Sequence, residues 1–458
     1  MSSSIQNRSK QDLVYGGYYQ TWIGNSDTEL TDVSPDTPCG EYLRRFWHPV
    51  ALTSELGPRP KLVQVLGEDL VLFRDKSDRI GLVHRRCPHR RSSLEYGVPE
   101  ERGIRCCYHG WLFGIDGATL EAPGQPKKVE ERICQTVTLG AYPVKEYKGL
   151  IFAYLGPPEL KPAFPVYDTF NLPGQELVPY KAPFNCNWLQ VLDAIVDPLH
   201  TAFLHSRTSR EQFSKGFGEI GEMRFYDRKT SFLGTSTRRV GENVWVRINE
   251  LVLPNFTQAG AAFAADGTKQ RYYGRTSFVR WVVPLSEEST MCYAWAVFGD
   301  RADPPEYNTP EGPELIEQGE PFDRSDEEKM LYPADAEATE SMGTITEHEK
   351  EHLAPSDRGI IGYRKRLRSL VRELQNGTEP VPVADGWPNG PIPTYGGDTV
   401  LHKPPNGMDD GAVLRAVGEA VMEAQFEAEG LPEHERVANV VRRLKQIEAD
   451  EEVHGEFA

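Results

Sequence analysis

Two short segments, Cys87-Pro88-His89 and Cys106-Cys107-Tyr108-His109, constrain this chain more than anything else in it. Each carries one thiol and one imidazole, so four metal-ligand side chains meet only if the backbone sets two tight loops face to face. Two thiolates and two imidazoles suit either a tetrahedral zinc or a [2Fe–2S] cluster. Structural zinc sites usually take Cys with Cys and His with His along the chain. A cluster with two different irons, one on both thiolates and one on both imidazoles, needs one ligand of each kind from each loop, and this spacing favours it. The ligand set is then Cys87, His89, Cys106 and His109. Cys107 is the alternative thiolate, but the C-x-x-H spacing favours Cys106. Exchanging two thiolates for neutral imidazoles raises a cluster potential to about −150 to +300 mV, which suits electrons from a flavin or ferredoxin donor. Cys39, Cys134, Cys186 and Cys292 have no histidine at ligand spacing and read as buried or half-buried thiols.

A second constellation lies in the apolar stretch NCNWLQVLDAIVDPLHTAFLHS, which carries Asp193, Asp197, His200 and His205. A lone histidine there would be a core residue, but two sharing a helix with two acids point to a metal. Five residues turn an ideal helix by about 500°, which leaves His205 about 140° from His200. Both can bind one ion only if the helix is bulged or broken, and Pro198, which lacks an N–H, supplies a reason. With one distant carboxylate the pair makes the 2-His-1-carboxylate face of a ferrous oxygenase.

Around these motifs the 458 residues organise into two parts. Short alternating runs such as Lys61 to Phe73 and Gly149 to Leu155, cut by Gly, Pro and Asp clusters, read as a small antiparallel β domain. Beyond the helical stretch, Lys229 to Val240, Val244 to Leu253, Arg275 to Val283 and Thr290 to Phe298 predict an antiparallel sheet, and Glu340 to Leu374 a helix. The Pro- and Gly-rich segment from Asn376 to Gly411 reads as an ordered crossing, and Ala412 to Glu429 and Pro432 to Glu448 as two peripheral amphipathic helices. A formal charge of −17 argues against nucleic acid or an anionic membrane as partner. That acidity concentrates in residues 302–330 and beyond 408, and residues 302–330 read as a surface excursion. Neither a signal peptide nor an apolar run long enough to span a membrane is visible, so the expected compartment is the cytoplasm.

Together the two constellations, with Gly40-Glu41-Tyr42-Leu43-Arg44-Arg45-Phe46-Trp47-His48-Pro49-Val50-Ala51, Asn187-Trp188, Glu340-Ser341-Met342-Gly343 and Glu351-His352-Leu353-Ala354-Pro355-Ser356-Asp357, resemble the terminal oxygenase component of Rieske non-haem iron aromatic-ring oxygenases. The similarity is to the phthalate dioxygenase-like group that includes dehydrodivanillate O-demethylase. It spans most of residues 40–375. It implies an α+β fold, with an all-β Rieske domain over 42–165 and a catalytic domain of antiparallel sheet flanked by helices (helix-grip, START-like) over 166–400. Residues 1–41 and 401–458 are then extensions. It also implies that Cys87, His89, Cys106 and His109 bind the [2Fe–2S] cluster, and that His200, His205 and Asp357 bind a mononuclear Fe(II). Asp197 becomes a bridge from His200 to His109 of a neighbouring subunit in a homotrimer.

Implied too are O₂ as co-substrate, NAD(P)H used only through a partner reductase or ferredoxin, and a small aromatic substrate that is hydroxylated or O-demethylated. Cis-dihydroxylation is the nearest alternative, and a Rieske electron carrier a remote one. Arg91 stands where many relatives have glycine, and Asp193 where they often have Asn or Glu. Phe256, Phe278 and Trp281 are pocket candidates from strand position. His348-Glu349-Lys350-Glu351-His352 is a literal H-E-x-x-H, the zinc-hydrolase motif, but its polar surroundings disfavour that reading. Arg85, Arg86, Arg90, Arg91, Arg102 and Arg105 outnumber the local acids and suggest a docking surface for an acidic redox partner.

Overall fold

The computed structural model describes residues 14–20, 22–172, 174–209, 215–260, 273–299, 324–382, 384, 387, 390–405, 407 and 409–450, without the side chains of Ser277, Phe278 and Gly299. The expected 302–330 excursion therefore lies mostly outside the described residues. No helix among them is long and apolar enough to cross a membrane.

The first part of the chain builds three small antiparallel sheets. Lys61–Val65 and Glu68–Arg74 pair across a two-residue turn, with Val65 opposite Glu68. Leu66 and Gly67 take φ of 48° and 76° there, the left-handed pair whose twist matches a tight hairpin. Val98–Glu100, Gly103–Arg105, Leu112–Phe113 and Thr119–Glu121 form the sheet that presents the second Cys-His loop. Val71, Phe73, Val83, Leu94, Ile104 and Phe113 pack with Cys87, Cys106 and Trp111 in one apolar cluster. The cluster loops therefore stand on a rigid apolar base.

The second part is an eight-stranded antiparallel sheet. Its strands are β1 (Gln175–Phe184), β2 (Glu222–Asp227), β3 (Ser231–Val240), β4 (Asn243–Val252), β5 (Phe256–Gly260), β6 (Gly274–Ser286), β7 (Ser289–Gly299) and β8 (Gly397–His402). The order is β1-β7-β6-β5-β4-β3-β2, and β8 pairs with both β4 and β6 beyond the end of the short β5. The expected strands are all present, and the crossing segment contributes β8.

Successive residues of a strand face opposite sides, and the two faces have different work. On one, Arg238 donates to Thr201 Oγ1 at 2.8 Å and Asn249 Nδ2 to the carbonyl of Ile195 at 3.4 Å. That side lies under α1 (Trp188–Ile195) and α2 (Pro198–Ala202). On the other, Trp281 and Trp295 meet Phe152 of the first part at 5.2 and 6.2 Å between ring centres. Further along that face Leu233, Val244, Val246 and Ile248 bury Val413, Leu414, Val417 and Val421.

α3 (Asp335–Glu340) and α4 (Arg358–Gln375) follow, and α5 (Asp410–Glu427) and α6 (Glu433–Ala449) end the described chain. The last two helices are not peripheral. Val417, Val421, Met422, Val440 and Leu444 are fully buried, so the tail is a layer of the core, and a boundary at residue 400 cuts through β8. The N-terminal extension is anchored as well: the Trp188 indole donates to the Leu30 carbonyl at 3.1 Å, and Arg368 and Arg372 of α4 hold Glu29 at 2.8 and 2.6 Å.

Candidate active site

α1 stops at Ile195, and Asp197 turns to extended backbone (φ −108°, ψ 93°). Its carboxylate accepts from the Leu199 N–H at 2.9 Å and caps α2, with Pro198 at the first helical position, where a missing N–H costs nothing. After Ala202 the helix widens into a π turn, Phe203–Arg207, closed by Thr208 N–H to the Phe203 carbonyl at 2.9 Å. An i→i+5 turn brings residues five apart onto nearly one face. The bulge that two histidines at this spacing require is therefore present, and their rings lie 5.2 Å apart at 71°.

Asp335, the first residue of α3, completes the set. One of its oxygens lies 3.6 Å from His200 Nε2 and 3.2 Å from His205 Nε2. Among the described residues this is the one group of three His, Cys, Asp or Glu ligand atoms lying within 4.8 Å of one another. His200 Nδ1 contacts the Asp197 carbonyl at 2.5 Å. The Nδ1–H is thereby committed to a backbone acceptor, and Nε2 keeps its lone pair for an ion. Burial lowers the His200 pKa despite Asp335 and Asp197, which favours the neutral, ligating form. Burial alone would raise Asp335, but His205, His200 and Arg280 outweigh it and hold the carboxylate ionised. Donor types, protonation states and spacing all fit a ferrous ion.

Asp357 is not in this set. Its Oδ2 accepts from the Ala354 N–H at 2.6 Å, in the turn that leads into α4. The motif that selected Asp357 marks a helix start, whereas Asp335 sits 22 positions earlier in an unremarkable Pro-Ala-Asp-Ala string. The sole local signal there is an acid opening a short helix, which is too common to identify a ligand. The H-E-x-x-H segment holds a single 3-10 turn, His348–Lys350, rather than a helix. His348 Nδ1 accepts from Asp27 N–H, Glu349 takes Asn25, and Glu351 binds Arg364, so no zinc face forms. Asp193 is buried beside Arg364, 2.6 Å away, and braces α1 against α4.

At the cluster site both loops close alike. Arg91 N–H bonds the Cys87 carbonyl at 2.8 Å and Gly110 N–H the Cys106 carbonyl at 3.1 Å, with φ of 65° and 71°. Arg91 thus keeps the left-handed turn that glycine would make without strain, and the departure leaves the loop intact. Cys87 and Cys106 are 2% and 3% exposed. The His89 and His109 rings lie 4.5 Å apart, and His89 stacks on Trp111 at 4.7 Å. His89 Nδ1 is buried without a hydrogen-bond partner among the described residues, as a metal-bound nitrogen would be. The four side chains fail the single-ion spacing that the His200 group meets. That fits ligands spread over two irons better than one zinc.

Of the basic residues near this site, Arg85 is paired with Asp69 and Glu95, Arg105 with Glu100 and Glu121, and Arg102 with Glu121. Arg86, Arg90 and Arg91 stay exposed. Phe256 and Trp281 are on the sheet face away from Asp335, so they do not line the iron pocket. The side chain of Phe278 lies outside the described residues.

The family model for the Rieske [2Fe–2S] domain matches residues 46–148. Over 96% of this chain and 97% of its own length, the oxygenase subunit of a tert-butanol monooxygenase and tert-amyl alcohol desaturase from Aquincola tertiaricarbonis is 38% identical. This chain belongs to the Rieske non-haem iron oxygenases. The alpha subunit of a phenoxybenzoate dioxygenase from Ectopseudomonas oleovorans is 36% identical over 80% of this chain and 90% of that one. Dicamba monooxygenase bound to dicamba shares the fold, with a TM-score of 0.57 at 18% identity, over 74% of this chain and 99% of that one. The chain is therefore the oxygenase subunit of a multicomponent Rieske system, an oxidoreductase with a [2Fe–2S] domain and a catalytic domain of sheet and helices.

Proposed function

We propose that this oxygenase subunit inserts oxygen from O₂ into a small substituted aromatic compound, by hydroxylation or by O-demethylation, with electrons from a separate NAD(P)H-dependent reductase or ferredoxin. The observation that carries the reading is one Asp335 oxygen poised between two imidazole Nε2 atoms, with the tautomer of His200 set from behind by the Asp197 carbonyl. Three protein ligands on one side of an ion leave the other side to O₂ and substrate. When bound, the iron supplies O₂ activation and the cluster supplies single electrons.

The protein's own residues position these groups. His200, His205 and Asp335 hold the ion, and Cys87, His89, Cys106 and His109 hold the cluster. Asp197 orients His200 through its carbonyl and keeps its carboxylate, 20% exposed, 3.9 Å from His200 Nδ1. That carboxylate is the natural partner for His109 of a neighbouring subunit, which makes a homotrimer the working assembly. Arg280, buried in β6, helps hold the Asp335 carboxylate ionised.

One observation favours a second reading. The tert-butanol monooxygenase subunit is similar along nearly the whole chain, tail helices included, so a small tertiary alcohol is the competing substrate class. Oxygen uptake by the iron-loaded protein with a generic reductase, over benzoates, methoxyarenes and tertiary alcohols, decides between them. Substrate-dependent uptake with stoichiometric hydroxylated or demethylated aromatic product supports the first reading. Turnover confined to aliphatic alcohols overturns it.

A further inference from the structure

Behind the sheet, between the Rieske part and the catalytic part, lies a cleft the reaction does not use. Its cavity volume is about 180 Å³, room for a single small ring, as in an apolar cavity that takes benzene. Its walls are mainly Phe46, Trp47, Tyr167, Phe256 and Trp281, with proline faces between them. Tyr167 stacks on Phe256 at 4.6 Å, and Phe256 meets Trp281 at 4.6 Å. The charges at its rim, Arg45 and Glu379, neutralise each other at 2.8 Å, so nothing there selects an ion.

Two polar groups in this apolar wall are unspent. Tyr167 is 5% exposed and Asn255 2%. The Asn255 amide nitrogen is used by the Val282 carbonyl at 2.8 Å and His48 at 3.2 Å, which fixes its orientation. Among the described residues neither its Oδ1 nor the Tyr167 hydroxyl has a hydrogen-bond partner. Neither atom is among the fully buried unpaired polar atoms, so each is open to a small polar group that enters from outside. One hydroxyl on an incoming ring can give a proton to an amide oxygen and take one from a phenol.

We infer that this cleft is a second binding site, for a small neutral aromatic molecule carrying a hydroxyl group. It stands apart from the iron, yet Trp281 on its wall and Arg280 beside Asp335 are neighbours on β6. The ligand class matches the products proposed above, and in that sense alone the inference rests on that reading; the test needs no turnover.

4-Methylphenol and toluene are titrated calorimetrically into the full-length holoprotein. Ala384→Trp, which fills the cleft, removes one equivalent of 4-methylphenol per chain. Tyr167→Phe weakens 4-methylphenol about tenfold, as loss of one buried hydrogen bond does, and leaves toluene unchanged. Equal stoichiometry in wild type and Ala384→Trp overturns the site, as does a Tyr167→Phe effect equal for both probes. Oxygen uptake, measured separately, reports on the proposed reaction whatever the cleft does.

Discussion

Asp335→Asn and Asp357→Asn separate the structural assignment of the third iron ligand from the motif-based one. In Asp335→Asn the charge that faces both imidazoles is lost from a largely buried site. Removing one partner of a buried charged set costs about 3–5 kcal/mol, which at about 1.4 kcal/mol per decade weakens Fe(II) retention by two to four orders of magnitude. In Asp357→Asn the loss is one charge-assisted bond to the Ala354 N–H. Such a contact at a helix entrance is worth about 0.5–2 kcal/mol of stability and nothing in metal affinity. The assay is iron per chain after dialysis, with the visible spectrum of the Rieske cluster as internal control. A loaded chain holds about three irons, two of them in the cluster. Asp335→Asn should fall to about two with the cluster spectrum unchanged, and Asp357→Asn should stay near three with a slightly lower melting temperature. The reverse pattern would refute the assignment of Asp335.

Asp197→Ala should keep both metal centres and lose most turnover, and full oxygen uptake in that variant would remove Asp197 from the electron route. Glu250 is buried, and burial, only partly offset by the Tyr395 and Gly396 amides, raises its carboxyl from 4.5 to about 7. The folded chain then binds this proton more tightly than the unfolded one, so the group lowers stability progressively as pH rises from about 4.5 to 7. Glu250→Gln should therefore gain on wild type in melting temperature from pH 5 to pH 8, and a pH-independent difference would contradict it. Arg364→Leu strands Asp193 in the interior and should cost about 3–5 kcal/mol in denaturant unfolding; a loss under 1 kcal/mol would show that Asp193 has another partner. Arg90→Glu should slow reduction of the cluster and flatten its salt dependence, measured by stopped flow, and an unaltered salt dependence would exclude Arg90 from the docking surface.

Spacing made most of the proposed metal ligands legible because they lie close together in the chain. The two Cys-His loops each close within five residues, and the five-residue gap from His200 to His205 demanded a distortion that the π turn supplies. Asp335 stayed hidden because it reaches the site through tertiary packing alone, about 130 residues along the chain from His205. Strand alternation was visible, but which face met the iron was not, and that is why Phe256 and Trp281 were misplaced. The tail helices looked peripheral because α6 is strongly charged on its outer side, while its Val440 and Leu444 stripe is as narrow as that of a surface helix.

The position of β8 also governs the order in which this protein can form. Asn243–Ile248 of β4 finds its outer neighbour only in Gly397–His402, so a ribosome must deliver about 150 further residues before that strand ceases to be an edge. Until then the nascent sheet carries an open, apolar seam, the kind of surface that recruits foreign strands, and its closure is a long-range event that slows folding. Truncation before residue 402 would thus leave an aggregation-prone intermediate rather than a shorter enzyme, and chaperone demand should track the interval between the synthesis of β4 and that of β8.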